Sequence, residues 1–158
     1  MQTHVAIETK KEIPASLLEQ CIQVVAGWIQ KEDCKRIPVD LYEALQRQMD
    51  PERQKQVFGQ VKWWDENGQL CRVQHWKDGK EQGEWKEWHD NGPLRWVWHW
   101  KDGKKHGEWK AWLTNGQLAW VEHWKDGTRQ GEWKRWYANG QLAWVQHWKD
   151  GLLQGERQ

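Results

Sequence analysis

The sequence is poor in cysteine, in net charge and in long apolar runs, and each deficit argues against a class of function. Its three cysteines are too few and too irregularly spaced for a disulfide framework or a zinc site. Twenty-four Lys and Arg balance 23 Asp and Glu, whereas nucleic-acid-binding domains carry a clear basic excess. No apolar stretch approaches the ~18 residues of a membrane span, and the N-terminus does not read as a signal peptide. We therefore expect a cytoplasmic protein that does not bind nucleic acid and has no membrane as its main partner.

Tryptophan is what the sequence has in excess, with 17 of them against two tyrosines and one phenylalanine. Because disordered chains are poor in aromatic residues, we expect a folded chain despite the mean hydropathy of −1.12. The tryptophans recur in a repeat that has no insertions or deletions, which indicates units that pack on their neighbours. The units begin at Gly59, Gly83, Gly107 and Gly131, and a truncated fifth begins at Gly155.

Each unit contains two turn signals, exemplified by Asn67-Gly68 and Asp78-Gly79 in the first unit. Both dipeptides tolerate the positive φ angles of tight hairpin turns. The segments between them are rich in Trp and Val and have the length of strands. Each unit has too few large apolar residues for a thick core. Residues 59–158 are therefore predicted to form four repeats and a partial fifth, folded as a single-layer antiparallel β-hairpin meander of about eight strands.

The first third of the chain has a helical pattern instead. Apolar residues recur at helical spacing from Leu17 to Ile29. A second helix is predicted from about Pro38 to Met49, with Pro51 marking its exit. We expect residues 1–58 to form a small helical module that covers the first strand of the repeats, since an open edge strand would pair with other chains.

Alternation along the strands bears on where the indoles lie. It places Trp109 and Trp112 on opposite faces unless a bulge intervenes, which predicts indoles on both faces of the sheet. The Asn-Gly loop could have two residues or three, and the two lengths give different registers. The Lys at the fourth position of each unit, such as Lys110, could lay its stem over a ring.

The regular tryptophan rows are predicted to be mainly the packing of the fold, with part of this surface left for a partner. Positions that depart from the repeat toward more aromatic residues are the best candidates. Trp98 stands where the other units have Gln or Glu, and it adds a third indole to one face of its strand. The residues expected to contact a partner are Trp96, Trp98, Trp100, Trp120, Trp144, His89 and Tyr137.

Catalysis and cofactor chemistry are not expected. A catalytic site needs a unique constellation of unlike groups, whereas nearly every ionisable residue here recurs from unit to unit. The recurring His, such as His123, is spaced too widely from its equivalents for one metal, and a cross-strand Glu such as Glu108 or Glu132 is the expected partner. We predict no enzyme activity, no cofactor and no metal.

The segment "HWKDGKKHGEWKAW", from His99 to Trp112, and its repeats resemble the MORN-variant repeat of bacterial proteins. The resemblance covers residues 59–158 and implies a stack of β-hairpins without catalytic residues. It further implies a protein-binding scaffold similar to antitoxin or immunity-type proteins of the YwqK kind, which would bind and block a partner protein such as a toxin. A self-assembling or homodimeric module is the alternative, as is carbohydrate or lipid binding through exposed Trp rows.

Overall fold

The computed structural model describes residues 39–156, together with Gln20 and Gln23, which are helical. The chain divides into two compact units, residues 1–45 and 46–158. The helix predicted from Leu17 to Ile29 lies outside the described residues except at Gln20 and Gln23. The second predicted helix is confirmed as α1 (Val39–Gln48).

A further helix, α2 (Pro51–Phe58), follows where the sequence analysis placed only an exit. The Asp50 carboxylate accepts the backbone N–H three residues on, at 3.0 Å, so it caps the new helix. Pro51 suits the first helical position because that position needs no N–H donor. Pro51 therefore begins α2, in addition to following the end of α1. The helix ends at Gly59, whose φ of 61° is the left-handed conformation of a helix C-terminus.

The repeats form one antiparallel sheet that is not closed. In residues 39–156 it has twelve strands. Nine follow one another across the sheet, and three are two-residue strands that pair beside them. The predicted meander is confirmed, with the short strands as an addition. The strands are β1 (Gln60–Trp64), β2 (Leu70–Lys77), β3 (Lys80–Glu81), β4 (Gly83–Trp88), β5 (Leu94–Lys101), β6 (Lys104–Lys105), β7 (Gly107–Trp112), β8 (Leu118–Lys125), β9 (Thr128–Arg129), β10 (Gly131–Trp136), β11 (Leu142–Lys149) and β12 (Leu152–Glu156).

The two turn signals make different turns. Asp78 and Gly79 both have positive φ, 50° and 73°, and form a two-residue hairpin loop. At the Asn-Gly signal only Gly68 has positive φ. There the Asp65 N–H donates to the Gln69 carbonyl at 2.9 Å, and three residues lie between them. The open question of loop length is therefore resolved in favour of three residues.

The three-residue loop is accompanied by a register shift in the strand after it. Ala111 pairs with Trp120 and Trp112 pairs with Leu118, so Ala119 of β8 is the extra residue. β7 itself has no extra residue, so its side chains continue to alternate between the two faces. Trp112 therefore lies on the side opposite Trp109, as the sequence predicted.

The two sides of the sheet carry different recurring residues. We call indole face the side that carries Trp76, Trp85, Trp100, Trp109, Trp124, Trp133 and Trp148, and polar face the side that carries the recurring His, Glu and Lys. Among the described residues, no strand of the repeats has more than two buried ones. The buried residues are Val61, Val73, Trp85, Val97, Trp109, Ala111, Val121 and Trp133.

Helix α2 lies against the first strand, within the unit that contains the sheet. The buried Gln54 amide accepts the backbone N–H of Lys62 at 2.8 Å and donates to the Met49 carbonyl at 3.1 Å. Lys55 places its ammonium 3.8 Å from the ring centroid of Trp76. A helix side chain therefore satisfies a backbone donor of β1.

Candidate partner-binding surface

A continuous ladder of seven indoles runs along the sheet on the indole face. Successive ring centroids are between 5.1 and 5.8 Å apart, and the rings are tilted to one another. Contacts of this kind stabilise by about 0.5–1.5 kcal/mol each beyond the area they bury. In order, the ladder is Trp76, Trp85, Trp100, Trp109, Trp124, Trp133 and Trp148. It links every unit to the next.

Hydrogen bonds to main-chain carbonyls hold the ladder in place. The Trp109 indole N–H donates to the His99 carbonyl at 3.0 Å, and His99 Nδ1 donates to the Glu108 carbonyl at 2.6 Å. The same indole bond recurs from Trp85 to His75 and from Trp133 to His123, at 2.9 and 3.1 Å. Nδ1 of each of these histidines is therefore engaged with the main chain of the next unit.

The other histidine nitrogen faces a carboxylate across the strands, as the sequence predicted. Nε2 of His123 lies 3.2 Å from Glu108, and Nε2 of His147 lies 3.2 Å from Glu132. A hydrogen bond from Lys110 and, after it, the contact with His123 hold the pKa of Glu108 below its ordinary value. The polar face is therefore a stripe of internally paired charges. In residues 39–156, no three His, Cys, Asp or Glu side chains form a group that could hold a metal ion.

The cations that cover the indoles are different from those expected. Lys110 pairs with Glu108 on the polar face, because it follows Trp109 directly and so points to the other side of the strand. Lys105, from a two-residue strand, lies 4.1 Å from the Trp109 centroid and 4.3 Å from that of Trp124. The equivalent Arg129 lies over the next pair of rings, at 4.7 and 4.5 Å. The cations over these rings of the ladder are therefore supplied by the short strands.

Four of the candidate partner residues lie together on the indole face. Trp96 and Trp98 are stacked, with centroids 5.5 Å apart and planes 9° apart. Trp96 meets Trp120 edge to face at 5.1 Å. Trp100 belongs to the ladder. All four are partly buried, so each has some surface open to solvent.

His89 and Tyr137 occupy equivalent positions, immediately before a three-residue hairpin loop. The His89 ring bonds the carbonyl of Trp112, the last residue of β7 in the next unit, at 2.9 Å, so this side chain joins two units. Tyr137 is 60% exposed. The structure therefore does not bring these two side chains into the cluster around Trp98.

The last candidate, Trp144, lines a groove that the sequence analysis did not identify. The groove has a volume of about 290 Å³. Its lining includes Arg135, which pairs in register with both Trp120 and Trp144. The signal that could have found it is the variability of this position, which holds Trp63, Glu87, Ala111 and Arg135 in the four units. The lining residues are Trp120, Val121, Glu122, Lys134, Arg135 and Trp144.

Glu122 is the half-buried carboxylate at this groove. It accepts the indole N–H of Trp124 at 2.9 Å. Burial raises the pKa of Glu122 above its ordinary value, although the Trp124 hydrogen bond and the charges of Lys105 and Arg129 act to lower it. The equivalent positions hold Gln74, Trp98 and Gln146, so Glu122 is a second local departure from the repeat.

Comparison with known proteins agrees with the architecture. No curated protein matches this chain. No helix in the described part of the chain is long and apolar enough to cross a membrane. MORN repeats are in general modules that bind proteins or membranes, and the family is non-catalytic. Three segments of this chain, residues 59–78, 105–126 and 129–150, match the family model of the MORN repeat variant.

Proposed function

We propose that this protein is a non-catalytic scaffold that binds another protein through its indole face. The observation that carries the proposal is the stacked pair of Trp96 and Trp98, extended by Trp120. Trp98 replaces the Gln or Glu of other units, so it is not required by the repeat. Tryptophan is the residue type most enriched among the residues that dominate binding energy at protein interfaces.

We further propose that the partner is an enzyme or toxin that this protein blocks, as an antitoxin or immunity-type protein would. A rigid, shallow sheet suits this role because it can cover a partner's surface without rearranging. The Lys and Glu charges of the polar face pair with each other, whereas the indole face carries the stacked rings of Trp96 and Trp98. The proposed role needs no chemistry from this chain and places it in the cytoplasm.

The test starts from capture of binding proteins in the organism that encodes this chain, followed by purification of the partner. Titration calorimetry then compares the parent protein with Trp98→Gln, which restores the residue of the other units. We expect binding to weaken at least tenfold, since a central interface Trp contributes about 2 kcal/mol or more. Lys101→Ala, exposed at the end of the same strand, is the control and should bind as the parent does.

Unchanged affinity of both Trp98→Gln and Trp144→Ala would exclude the indole face as the binding surface. Inhibition of the partner's enzymatic activity by the parent chain would separate an antitoxin role from simple association. A partner that stays fully active in the complex would contradict that role.

Self-association is a second candidate, favoured by the exposed apolar side chains of the last unit. Tyr137, Leu142, Trp144, Leu152 and Leu153 are between 39% and 69% exposed. Burying such a patch between two copies would stabilise a homodimer. Light scattering across a range of protein concentrations tests this, and a monomer at the highest concentration would exclude it.

A further inference from the structure

We propose that the groove between Trp120 and Trp144 binds a carboxylate of the partner protein, an Asp or Glu side chain that stands next to an apolar side chain. This inference rests on the proposed function and specifies the chemistry of the partner. Arg135 would pair with the carboxylate while the two indoles pack against its apolar neighbour.

The geometry of the groove follows from one position of the repeat. Trp96 and Trp120 meet because Ala111, which lies between them in the register, has almost no side chain. One unit further on, Arg135 takes the place of Ala111. In the described part of the chain, Trp144 makes no ring contact, and it is 39% exposed. Equivalent strands are about 10 Å apart, so a gap lined by two indoles remains between Trp120 and Trp144.

The charge of the groove favours an anion. Arg135 is exposed and makes no ion pair with any residue of the described chain. The Glu122 carboxylate already accepts the Trp124 indole N–H and lies near the cations Lys105 and Arg129. The lining therefore contains Arg135 as a cation without an ion pair and Glu122 as a carboxylate that is already engaged, so an anion that enters can pair with Arg135.

The same row of the sheet already contains an arginine–carboxylate pair in an earlier unit. Glu87, the equivalent of Arg135, receives Arg72 at 2.7 Å and Arg95 at 3.2 Å. The row thus has the spacing for this pairing, which is among the stronger hydrogen-bonded arrangements in proteins. At Arg135 the guanidinium is present and the carboxylate is missing.

The size of the groove suits a short acidic segment. Its 290 Å³ equals the liquid volume of about ten water molecules. That space admits an apolar side chain together with a neighbouring carboxylate. Release of water from the two indole walls would add to the attraction of the charges.

The experiment uses the full chain and three synthetic probes, acetyl-Glu-Phe-Glu-amide, its Gln-Phe-Gln analogue and its Lys-Phe-Lys analogue. Binding is followed by NMR through the indole N–H signals of Trp120 and Trp144. We expect the Glu peptide to shift these two signals and to bind about tenfold or more tightly than the Gln peptide. Arg135→Ala should weaken the Glu peptide by a similar factor. Lys125→Ala removes the same charge from an exposed position outside the groove and should leave binding unchanged.

Charge reversal provides a second, independent arm. Arg135→Glu should lose the Glu peptide and gain the Lys peptide, which a merely structural role for Arg135 would not produce. Because Arg135 is exposed, both variants should keep the parent's circular dichroism spectrum.

Several outcomes would overturn the inference and leave the proposed function standing. One is equal binding of the Glu and Gln peptides, or of Arg135→Ala and the parent. Another is the absence of any shift at Trp120 and Trp144 with all three peptides. A loss of binding to phosphatidylserine vesicles in Arg135→Ala, with peptide binding unaltered, would assign the groove to membranes instead. If a purified partner loses affinity for Trp98→Gln but not for Arg135→Ala, only the inference fails.

Discussion

Trp96 and Trp120 meet edge to face, with ring centroids 5.1 Å apart, across the buried methyl group of Ala111. The three residues belong to adjacent strands and pair in one row of the sheet. The side chain at position 111 therefore decides whether neighbouring indoles touch or stand apart. Arg135, at the equivalent position of the next unit, keeps Trp120 and Trp144 apart.

Enlarging Ala111 should destabilise the sheet. Ala111→Leu has no space to occupy, so the indoles must separate, and overpacking of this kind costs about 1–3 kcal/mol. The free energy of unfolding in urea measures the loss. The matched variant Arg135→Ala alters the same position of the repeat at an exposed site and should change stability by about 0.5 kcal/mol or less. Equal free energies of unfolding for the two variants would show that the contact between Trp96 and Trp120 does not contribute to stability.

The indole N–H of the ladder should contribute measurably to stability. Trp109→Phe removes the donor to the His99 carbonyl and shrinks a buried ring. We expect a loss of about 2 kcal/mol from the two effects together. Trp144→Phe changes an exposed ring that makes no hydrogen bond in the described structure, and it should cost about 0.5 kcal/mol or less. Thermal unfolding followed by circular dichroism compares them, and a Trp109→Phe protein as stable as Trp144→Phe would refute this view of the ladder.

Glu122 should be a source of instability at neutral pH. Its pKa in the folded chain is raised by burial, so the fold disfavours the ionised form. Its unfavourable contribution grows as pH rises through the unfolded pKa toward the folded one, and it disappears at lower pH. Glu122→Gln keeps an acceptor for Trp124 and should stabilise the protein at pH 7 by about 0.5 kcal/mol or less, because the site is partly exposed. Urea unfolding at pH 7 and pH 3 should show this gain only at pH 7.

Glu108 should behave in the opposite way. Its pKa in the folded chain is lowered, chiefly by the hydrogen bond from Lys110. The stability it provides is therefore present above the unfolded pKa and is lost as pH falls through the folded pKa. Glu108→Gln should be less stable than the parent at pH 7 and equal to it at pH 3. The same sign of effect for both substitutions at pH 7 would contradict the assignment of the two carboxylates.

Two glycines with positive φ should differ in how far they tolerate a methyl group. Alanine at Gly59 or Gly116 carries the strain of the left-handed conformation, about 1–2 kcal/mol. At Gly59 the new Cβ would also lie 2.9 Å from the Trp76 carbonyl oxygen, whereas at Gly116 it would meet nothing within 4 Å. Gly59→Ala should therefore lower the urea midpoint more than Gly116→Ala. Equal urea midpoints would mean that the backbone near Gly59 can shift away from the Trp76 carbonyl without loss of stability.

The repeat and its turns made the architecture predictable, because Asp-Gly and Asn-Gly recur at fixed positions. The detail within the turns was not predictable from the dipeptides. Asp78 takes positive φ whereas Asn67 does not, since the loop around Asn67 has an additional residue. The register shift beside Trp112 follows from that loop and leaves Ala119 of β8 as an extra, unpaired residue. Local composition allowed both registers, and pairing across the strands selected one.

The candidate surface was predictable only in part. Trp98 was identified by a departure from the repeat, and the structure places it in a cluster with Trp96 and Trp120. Arg135 was not identified from the sequence because its role in the groove depends on Trp120 and Trp144, which lie in the two neighbouring strands. The cation of Lys105 was missed because the two-residue strands give no signal in the pattern of apolar residues. The partner-binding role of these residues remains a prediction.

The bonds between neighbouring units use main-chain oxygens, as in the pairs Trp109 with His99 and His99 with Glu108. Such a joint does not depend on which side chains occupy the outward positions of either unit. A newly duplicated repeat can therefore pack on the neighbouring repeat without further substitutions. Its outward-facing residues can change later. Trp98 and Arg135 show that divergence, one with an added ring and the other with an added charge. Each repeat can therefore present a different side chain to a partner, while the spacing between the repeats stays the same.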